Sequence, residues 1–382
     1  MAVPLVIVGA GPYALSLGAE LRARNIEAMI FGRSMEFWIS SMPRGMLLRS
    51  SAGWHLDPAG RLTFEAFLAS RGLRCDEVDP IPVELYIEYG EWFRIEQGLE
   101  PERQLVKSIA SDGMRFLVTL DDATVIESDN VVVAPGFGPF RHAPDDLMQQ
   151  LPAARCSHST AVREPGAFRG SRVLIAGGRQ SAFELAALLT EAGADAVDVV
   201  YRHQTPRFEK SDWSWVDPMM ETTLTVPGWF RMLEKKEKER IRKRFWLEGR
   251  GRLEPWLAGR IDRPAIALHP ESWIASAAEP DGGAEIALTD GTYLVSDHII
   301  LATGFAIDLA RLDYLDRPSV IARLETDGGS PILSDVLEST LPGLFFTGFP
   351  AANDFGPAFG FVRAAIPAAK LVAAGVARRL AG

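Results

Sequence analysis

The sequence is poor in cysteine and has no long apolar run, and each shortage excludes a class of protein. Its 382 residues include two cysteines, Cys75 and Cys156, far apart in the chain. This excludes a C-x-x-C redox pair, a cysteine-rich zinc site and a disulfide scaffold. We expect two buried thiols and no metal; the alternative is a single bridge between the two cysteines. No uninterrupted apolar run approaches the roughly 20 residues that a membrane-spanning helix needs.

Positive charge is also in short supply. The formal net charge is −10, which argues against a dedicated nucleic-acid-binding protein. The apolar N-terminus lacks a charged leader and is interrupted by glycines, so we do not expect a signal peptide. With 47% hydrophobic residues, the chain can build two domains, or one domain inserted in another. We expect a soluble, cytoplasmic protein; the sequence leaves homo-oligomerisation open.

The chain is organised around its first residues, MAVPLVIVGAGPYA. Leu5 to Val8 form a branched apolar run typical of a buried parallel strand, and Leu15 to Arg24 have helical spacing. A glycine turn between strand and helix aims the helix N-terminus at a pyrophosphate. In such a turn the first glycine permits the bend, the second lets phosphate approach, and a small third residue lets helix and strand pack closely. The predicted nucleotide contacts here are Gly9, Gly11, Pro12 and Ala14.

The residues after the second strand, Ala28 to Phe31, depart from the usual pattern of such a unit. Where an acidic residue often binds a ribose, this chain has Gly32, so that contact must come from elsewhere. The segment Phe37 to Ser50 is aromatic and methionine-rich, too polar for a core strand and too irregular for a helix. It is either a buried loop or a loop along the nucleotide; we predict the second, with contacts from Trp38, Met42 and Arg49.

Two further helices and a strand precede the middle of the chain. Thr63 to Arg71 and Pro82 to Gln97 have helical spacing, and the aromatic residues of the second helix are expected in the core. The strand Val131 to Val133 ends in a sharp turn at Gly136. Open parallel sheets bind ligands at such carboxyl ends, so Gly136 is a predicted nucleotide contact.

The same pattern then restarts about 170 residues later. Arg172 to Ala176 reads as a strand, Phe183 to Ala192 as a helix and Ala196 to Tyr201 as the next strand. Arg179 stands where the second glycine of the turn would be, so this fingerprint is imperfect. The context still predicts a second nucleotide site, with contacts from Gly177, Gly178, Arg179, Gln180 and Ser181.

The second strand of this unit ends in Arg202 and His203, with Arg207 close behind. An acid there would bind the ribose hydroxyl groups of NAD, whereas an arginine suits the 2′-phosphate of NADP. We therefore predict that Arg202 selects NADPH; the alternative is a solvated arginine.

Residues 205 to 264 differ in character from both units. The segment holds five tryptophans, namely Trp213, Trp215, Trp229, Trp246 and Trp256. They could wall a substrate pocket or anchor a lid, and the sequence leaves both readings open. The charged run Glu234 to Arg244 is expected to be a solvated helix face.

Each half of the chain closes with a similar strand and glycine turn. His298 to Leu301 run into Thr303 and Gly304, as Val131 to Val133 run into Gly136. Leu344 to Thr347 form a last buried strand, which runs into Gly348. An Ala-rich helix is predicted over Phe361 to Leu380. Gly348 and Asp354 lie just before that helix, where backbone N–H groups can meet an electron-rich ring edge, so both are predicted cofactor contacts. Thr303 and Gly304, in the glycine turn after His298 to Leu301, are predicted cofactor contacts as well.

Together these motifs resemble those of the two-dinucleotide-binding-domain flavoproteins, more narrowly the flavin-containing monooxygenases and the ornithine/lysine N-hydroxylase group. Gly9-x-Gly11-x-x-Ala14 matches their FAD fingerprint, the run from Gly177 to Glu184 resembles G-G-x-Q-S-A-x-E, and Leu301 to Phe305 resembles L-A-T-G-Y. The resemblance implies an α/β, glutathione-reductase-like fold with two Rossmann-like domains. FAD would be bound by 1–160 and 320–382, and NADPH by the inserted domain 161–319.

The resemblance further implies that hydride passes from NADPH to the flavin, which then forms a C4a-(hydro)peroxide and oxygenates a small amine, thioether or ketone. Asn353 and Asp354 would contact the reacting ring. The family's linker motif survives mainly as His158-Ser159, and His158 is read equally as a packing residue or a contact of the nicotinamide domain.

Two rival functions stay open. One is an NAD(P)H-dependent reductase or oxidase that passes electrons to a quinone, a partner protein or oxygen. The other is a non-enzymatic flavin-bearing sensor, which would bind FAD without turning over NADPH.

Overall fold

The computed structural model describes residues 2–226, 228–279 and 282–381. Its framework is two separate parallel sheets. The first contains four strands in the spatial order Met29–Phe31, Val6–Val8, Val131–Val133 and Leu344–Phe346. Nearly all of these residues are buried, as expected for strands covered on both faces.

The second sheet repeats this arrangement with five parallel strands. Their spatial order is Ile266–His269, Ala196–Val200, Arg172–Ala176, His298–Leu301 and Cys156–His158. The sheet therefore reaches back to Cys156 for its edge strand.

Each parallel sheet also has an antiparallel three-stranded sheet inserted before a central strand. The first comprises Val106–Ser111, Phe116–Leu120 and Val125–Ser128, and the second Ile274–Ala278, Ala284–Leu288 and Tyr293–Ser296. The central strands that follow them are Val131–Val133 and His298–Leu301. The two halves of the chain thus share one plan.

Helices cover the sheets and join them. The α-helices are Pro12–Ala23, Glu36–Ser41, Phe64–Ser70, Val83–Glu96, Asp145–Met148, Gln180–Glu191, Val216–Thr225, Trp229–Met232, Lys235–Arg250, Ala258–Ile261, Ala352–Phe355 and Ala365–Ala381. Short paired strands complete the fold: Leu47–Leu48 with Ile81–Pro82, Arg207–Phe208 with Arg252–Leu253, and Thr326–Asp327 with Ser330–Pro331. The first and last helices pack against each other, and small buried residues such as Ala14 and Ala368 permit the close approach.

Several element predictions need correction. The segment Phe37 to Ser50 is not all loop, because Glu36–Ser41 is helical and Leu47–Leu48 pairs as a strand. The first and second nucleotide helices begin earlier than predicted, at Pro12 and at Gln180. A proline is favourable in the first helical turn, where its missing N–H costs nothing. The last helix begins at Ala365, because two short 3₁₀ turns, Pro357–Gly360 and Val362–Ala364, precede it.

Both cysteines are free thiols, as predicted, although each is half-buried instead of fully buried. Among the helices of the described ranges, none has the length and apolar character needed to cross a membrane.

Candidate functional site

The two glycine turns have matching backbone geometry. Gly9 and Gly177 both have positive φ angles, +111° and +144°. A Cβ atom on Gly9 would lie 2.2 Å from the carbonyl oxygen of Ala134, and one on Gly177 would lie 2.4 Å from that of Ala302. Both positions therefore require glycine, on steric and on conformational grounds.

The first turn has the space and the donors that a phosphate needs. Gly11 occupies the N-cap position of the helix Pro12–Ala23 without any side-chain cap, and a Cβ there would meet no atom within 4 Å. There is thus open space beside Gly11, and no side chain of the N-cap binds the N–H groups at the positive end of the helix dipole. Ala14 is fully buried where helix and strand meet. These residues fit a dinucleotide pyrophosphate.

Gly32 stands where related units often have an acidic residue that binds a ribose, and its backbone conformation and close neighbours both favour glycine. Gly32 has a φ of +132°, and a Cβ there would lie 3.4 Å from Gly9. The Gly32 N–H donates to the carbonyl oxygen of Glu102 at 2.8 Å. This hydrogen bond holds Glu102, an exposed acidic residue from a distant part of the chain, beside the end of the second strand.

The predicted nucleotide loop is anchored by packing. The Trp38 ring lies 4.8 Å from the ring of Tyr86, and the Met42 carbonyl oxygen accepts a 3.1 Å hydrogen bond from Arg163. Both side chains are half-buried. The predicted contacts of Trp38 and Met42 with a nucleotide stay predictions.

The Arg49 side chain binds groups of the tryptophan-rich insert, and its predicted contact with a nucleotide stays a prediction. Its Nε lies 2.9 Å from Glu254, and its terminal nitrogens donate to the carbonyl oxygens of Gly249 at 2.6 Å and Glu248 at 3.0 Å. A further bond goes to Ser211. The guanidinium therefore fastens the loop to the tryptophan-rich insert, and any nucleotide contact would compete with these bonds.

The chain crosses between the two sheets twice, and the crossings run side by side. The His142 N–H donates to the Gly304 carbonyl oxygen at 2.9 Å, and the Thr303 hydroxyl group donates to the carbonyl oxygen of His142. His158 lies 3.1 Å from the same Gly304 oxygen, and burial lowers its pKa. A neutral His158 donating from Nε2 suits this contact. Gly136 and Gly304 both have positive φ angles and face open space at the crossings.

A phenylalanine cluster at these crossings was missed by sequence reasoning. The ring of Phe137 lies 4.6 Å from Phe349 and 4.9 Å from Phe305, and Phe37 packs on both Phe137 and Phe305. All four rings are half-buried. Three of them follow a glycine at a strand end, in the pairs 136–137, 304–305 and 348–349. That repeated Gly-Phe pair was the available signal.

The two predicted catalytic residues are bound by other groups of the protein. One carboxylate oxygen of Asp354 accepts the Leu333 N–H at 2.8 Å. The side chain of Asn353 accepts from Arg242 at 2.9 Å and donates to Asp327 at 3.1 Å. Gly348 has a φ of +77° and lies against the Tyr13 ring. Their predicted contacts with a reacting ring stay predictions.

In the second turn the predicted contacts divide into buried and exposed positions. A Cβ on Gly178 would lie 2.4 Å from the Tyr201 side chain, so this glycine is a packing requirement. Gln180 is buried and accepts the Glu254 N–H at 3.1 Å, whereas Ser181 is exposed at the start of the helix.

Cationic groups gather at the end of the following strand. The Arg202 guanidinium lies 4.8 Å from the centre of the Trp273 ring. Burial lowers the pKa of His203, and the positive charges of Arg179 and Arg202 lower it further. Arg207 is highly exposed, with its guanidinium 3.7 Å from the carboxylate of Glu209. The strand end therefore fits a phosphate group better than a bare ribose.

Within the part of the chain that the structure describes, no group of three or more His, Cys, Asp or Glu side chains is placed to hold a metal ion.

Comparison with known proteins agrees with this geometry. A family profile described as pyridine nucleotide-disulphide oxidoreductase matches residues 99–245. An FAD-dependent urate hydroxylase from Xanthomonas campestris is 26% identical over 263 residues, which span 65% of this chain. The match covers 52% of that protein, so the chain spans about half the length of this curated relative.

Solved structures match over the whole chain. An ornithine N-hydroxylase from Kutzneria, described with reduced FAD, NADP⁺ and L-ornithine, has a TM-score of 0.80 at 18% identity, covering 100% of both chains. An L-lysine 6-monooxygenase from Pseudomonas syringae has a TM-score of 0.74 at 16% identity, covering 98% of this chain and 99% of the other. The chain therefore has the two-Rossmann-domain fold of the flavoprotein monooxygenases to which it is similar.

Proposed function

We propose that this protein is an FAD-dependent, NADPH-using monooxygenase that oxygenates a small amine, thioether or ketone. The observation that carries the proposal is the pair of matching turns, Gly9 against Ala134 and Gly177 against Ala302. They support two nucleotide sites, one at the carboxyl ends of each of the two parallel sheets. The similar solved structures named above support FAD and NADPH as the two occupants.

The division of labour along the chain is part of the proposal. Segments 1–160 and 320–382 would bind FAD, and segment 161–319, with its insert 205–264, would bind NADPH. The pairing of Leu344–Phe346 with Val131–Val133 supports the return of the chain to the first domain. The edge strand Cys156–His158 suggests a boundary a few residues earlier, because it pairs with the second sheet.

When bound, the two cofactors would supply hydride transfer and dioxygen activation. The tasks left to this chain are binding, orientation and exclusion of water. The open turn at Gly11 would bind the FAD pyrophosphate, and Arg202 would bind the 2′-phosphate of NADPH. The phenylalanine cluster around Phe137 would keep water from the junction between the two sites. Asn353 and Asp354 are proposed as the residues nearest the reacting ring.

A second candidate is an NAD(P)H-dependent reductase or oxidase that transfers electrons to a quinone, a partner protein or oxygen without oxygenation. The match of residues 99–245 to the pyridine nucleotide-disulphide oxidoreductase profile favours it. Disulfide reduction by a cysteine pair does not suit this chain, because its two cysteines, Cys75 and Cys156, do not form a closely spaced C-x-x-C pair.

Stopped-flow spectroscopy separates the candidates. The flavin-loaded protein is reduced by NADPH without oxygen and then mixed with oxygenated buffer. A transient absorbing species, distinct from both reduced and oxidised flavin, supports the monooxygenase and justifies a screen of amines, thioethers and ketones. Direct return to the oxidised spectrum favours the reductase or oxidase. If neither NADPH nor NADH reduces the flavin, both candidates are overturned and a sensor is favoured.

A further inference from the structure

Arg179 occupies the position in the second turn that Gly11 occupies in the first. Each is the N-cap residue of its nucleotide helix, and each has an extended backbone there. Unlike a glycine, Arg179 carries a long cationic side chain into the mouth of the turn. The second site is therefore not a copy of the first, and its difference lies in one side chain.

The side chain of Arg179 lies on the insert helix Lys235–Arg250. The carbon at the centre of its guanidinium is 4.6 Å from the centre of the Trp246 ring, and Nη1 donates to the carbonyl oxygen of Arg250 at 2.8 Å. Trp246 itself is 43% exposed, so one face of the indole is available to support the guanidinium. The insert thus touches the nucleotide turn through this pair.

The charge of Arg179 has no counter-ion among the residues that the structure describes. Its hydrogen bond goes to a neutral carbonyl group, and no ion pair within the described ranges includes it. Partial burial lowers its pKa, and the nearby positive charge of Arg250 lowers it further. The half-buried positive charge of Arg179 and the positive end of the helix dipole both favour a negative charge at this turn. An anionic ligand would supply that charge and accept a charge-assisted hydrogen bond from Arg179.

We propose that the insert helix completes the pyridine-nucleotide site, with Trp246 and the Arg250 carbonyl group holding Arg179 where it binds the pyrophosphate of the nucleotide. Arg179 is the binding residue and Trp246 a positioning residue. This inference rests on the proposed function, because it needs a pyridine nucleotide in the second site.

The position of Arg179 selects the pyrophosphate over the 2′-phosphate. The pyrophosphate of a dinucleotide sits at the helix N-terminus, where Arg179 is the cap, whereas the 2′-phosphate sits at the strand end near Arg202. The pyrophosphate is common to NAD⁺ and NADP⁺. Loss of Arg179 must therefore weaken both nucleotides by similar factors.

The test is calorimetric titration of the full-length, oxidised, FAD-loaded protein with NADP⁺ and with NAD⁺. We expect Arg179→Gln to raise both dissociation constants about tenfold, the typical scale of a lost charge-assisted hydrogen bond. Trp246→Leu should raise both severalfold, and Trp246→Phe, which keeps an aromatic face, should restore most of the affinity. FAD absorbance and thermal unfolding confirm that each variant is folded.

Trp215→Leu is the matched control. Its ring supports Arg244 of the same helix at 4.5 Å, and it carries no proposed nucleotide role. The inference is overturned if Arg179→Gln binds both nucleotides as the wild type does, if only NADP⁺ is weakened, or if Trp215→Leu weakens binding as much as Trp246→Leu. If Trp246→Leu does not fold, the dissociation constants of Arg179→Gln for NADP⁺ and NAD⁺ decide whether the inference stands. A wild type that binds neither nucleotide overturns the proposed function itself.

Discussion

The backbone N–H of Leu47 donates a 2.6 Å hydrogen bond to the carboxyl group of Glu184. This bond joins the loop of the first unit to the nucleotide helix of the second. Glu184 is 1% exposed, and burial raises its pKa to about 8 despite the opposing effects of the Leu47 N–H and of the charges on Arg260 and Arg49. In the sequence, Glu184 was only the last residue of the second nucleotide motif. In the structure, its carboxyl group links the two units through the Leu47 N–H.

The first prediction concerns the pH dependence of stability. The unfolded chain loses the Glu184 proton near its ordinary pKa of 4.5, whereas the folded protein keeps it until about pH 8. Between these values the folded state binds more protons than the unfolded state, so this group lowers the free energy of unfolding as pH rises. Thermal unfolding at a series of pH values should show a smaller decrease in stability with rising pH in Glu184→Gln than in the wild type.

Glu96→Gln, an exposed change on another helix, is the control and should follow the wild type. Identical pH profiles for Glu184→Gln and the wild type would contradict the prediction.

Arg49 gives the second prediction. Replacement by Met leaves the buried carboxyl group of Glu254 without its partner at 2.9 Å, and three carbonyl or hydroxyl acceptors lose their donor. Breaking a buried pair from one side costs about 3–5 kcal/mol, whereas removing both charges costs less. Denaturant unfolding should show a large loss in Arg49→Met and a smaller one in the double variant Arg49→Met/Glu254→Gln.

The same variants test the role that the sequence predicted for Arg49. If Arg49 is only a structural link, the double variant keeps its FAD affinity. A double variant that is stable but has lost FAD would show that Arg49 also contacts the cofactor.

The two-unit fold could be predicted because its signals are local. A buried strand of three to five apolar residues, a glycine at positive φ and an amphipathic helix follow one another within about twenty residues of chain, as at Gly9 and at Gly177. The edge strand Cys156–His158 could not, because it is short and polar and exists only through pairing with His298–Leu301.

The contacts that complete the site are long-range, and no local pattern encodes them. Arg49 meets Glu254 across 205 positions, and Asp354 is bound to Leu333 through a backbone N–H that any residue would supply. The sequence gives the chemical character of Asp354 and Arg49 but not their partners. It therefore could not distinguish a cofactor contact from a structural bond at either position.

Gly9 and Gly11 give a matched pair of alanine variants for the third prediction. At Gly9 a methyl group would meet the Ala134 oxygen at 2.2 Å in a left-handed backbone, whereas at Gly11 it would meet no atom within 4 Å. Gly9→Ala should therefore destabilise the apoprotein by more than about 2 kcal/mol. Gly11→Ala should leave the apoprotein as stable as the wild type but weaken FAD binding, because the methyl group enters the proposed phosphate space. Apoprotein unfolding and FAD titration measure the two effects; a Gly11→Ala variant with normal FAD affinity would place the pyrophosphate elsewhere.

Arg202 gives the fourth prediction, on the choice of nicotinamide cofactor. Its guanidinium rests over the Trp273 ring at the end of Ala196–Val200. A charge-assisted bond to the 2′-phosphate contributes about 1.5–3 kcal/mol, so Arg202→Ala should raise the KM for NADPH by about tenfold or more. NADH lacks that phosphate, and its KM should change less than about twofold.

Arg207→Ala is the matched control, because this neighbouring arginine is highly exposed beside Glu209 and should affect neither cofactor. Steady-state flavin reduction with both cofactors gives the values. An equal rise in the KM values for NADPH and NADH would show that Arg202 contacts a part common to the two nucleotides. If only Arg207→Ala raises the KM for NADPH, the 2′-phosphate binds at Arg207 instead of Arg202.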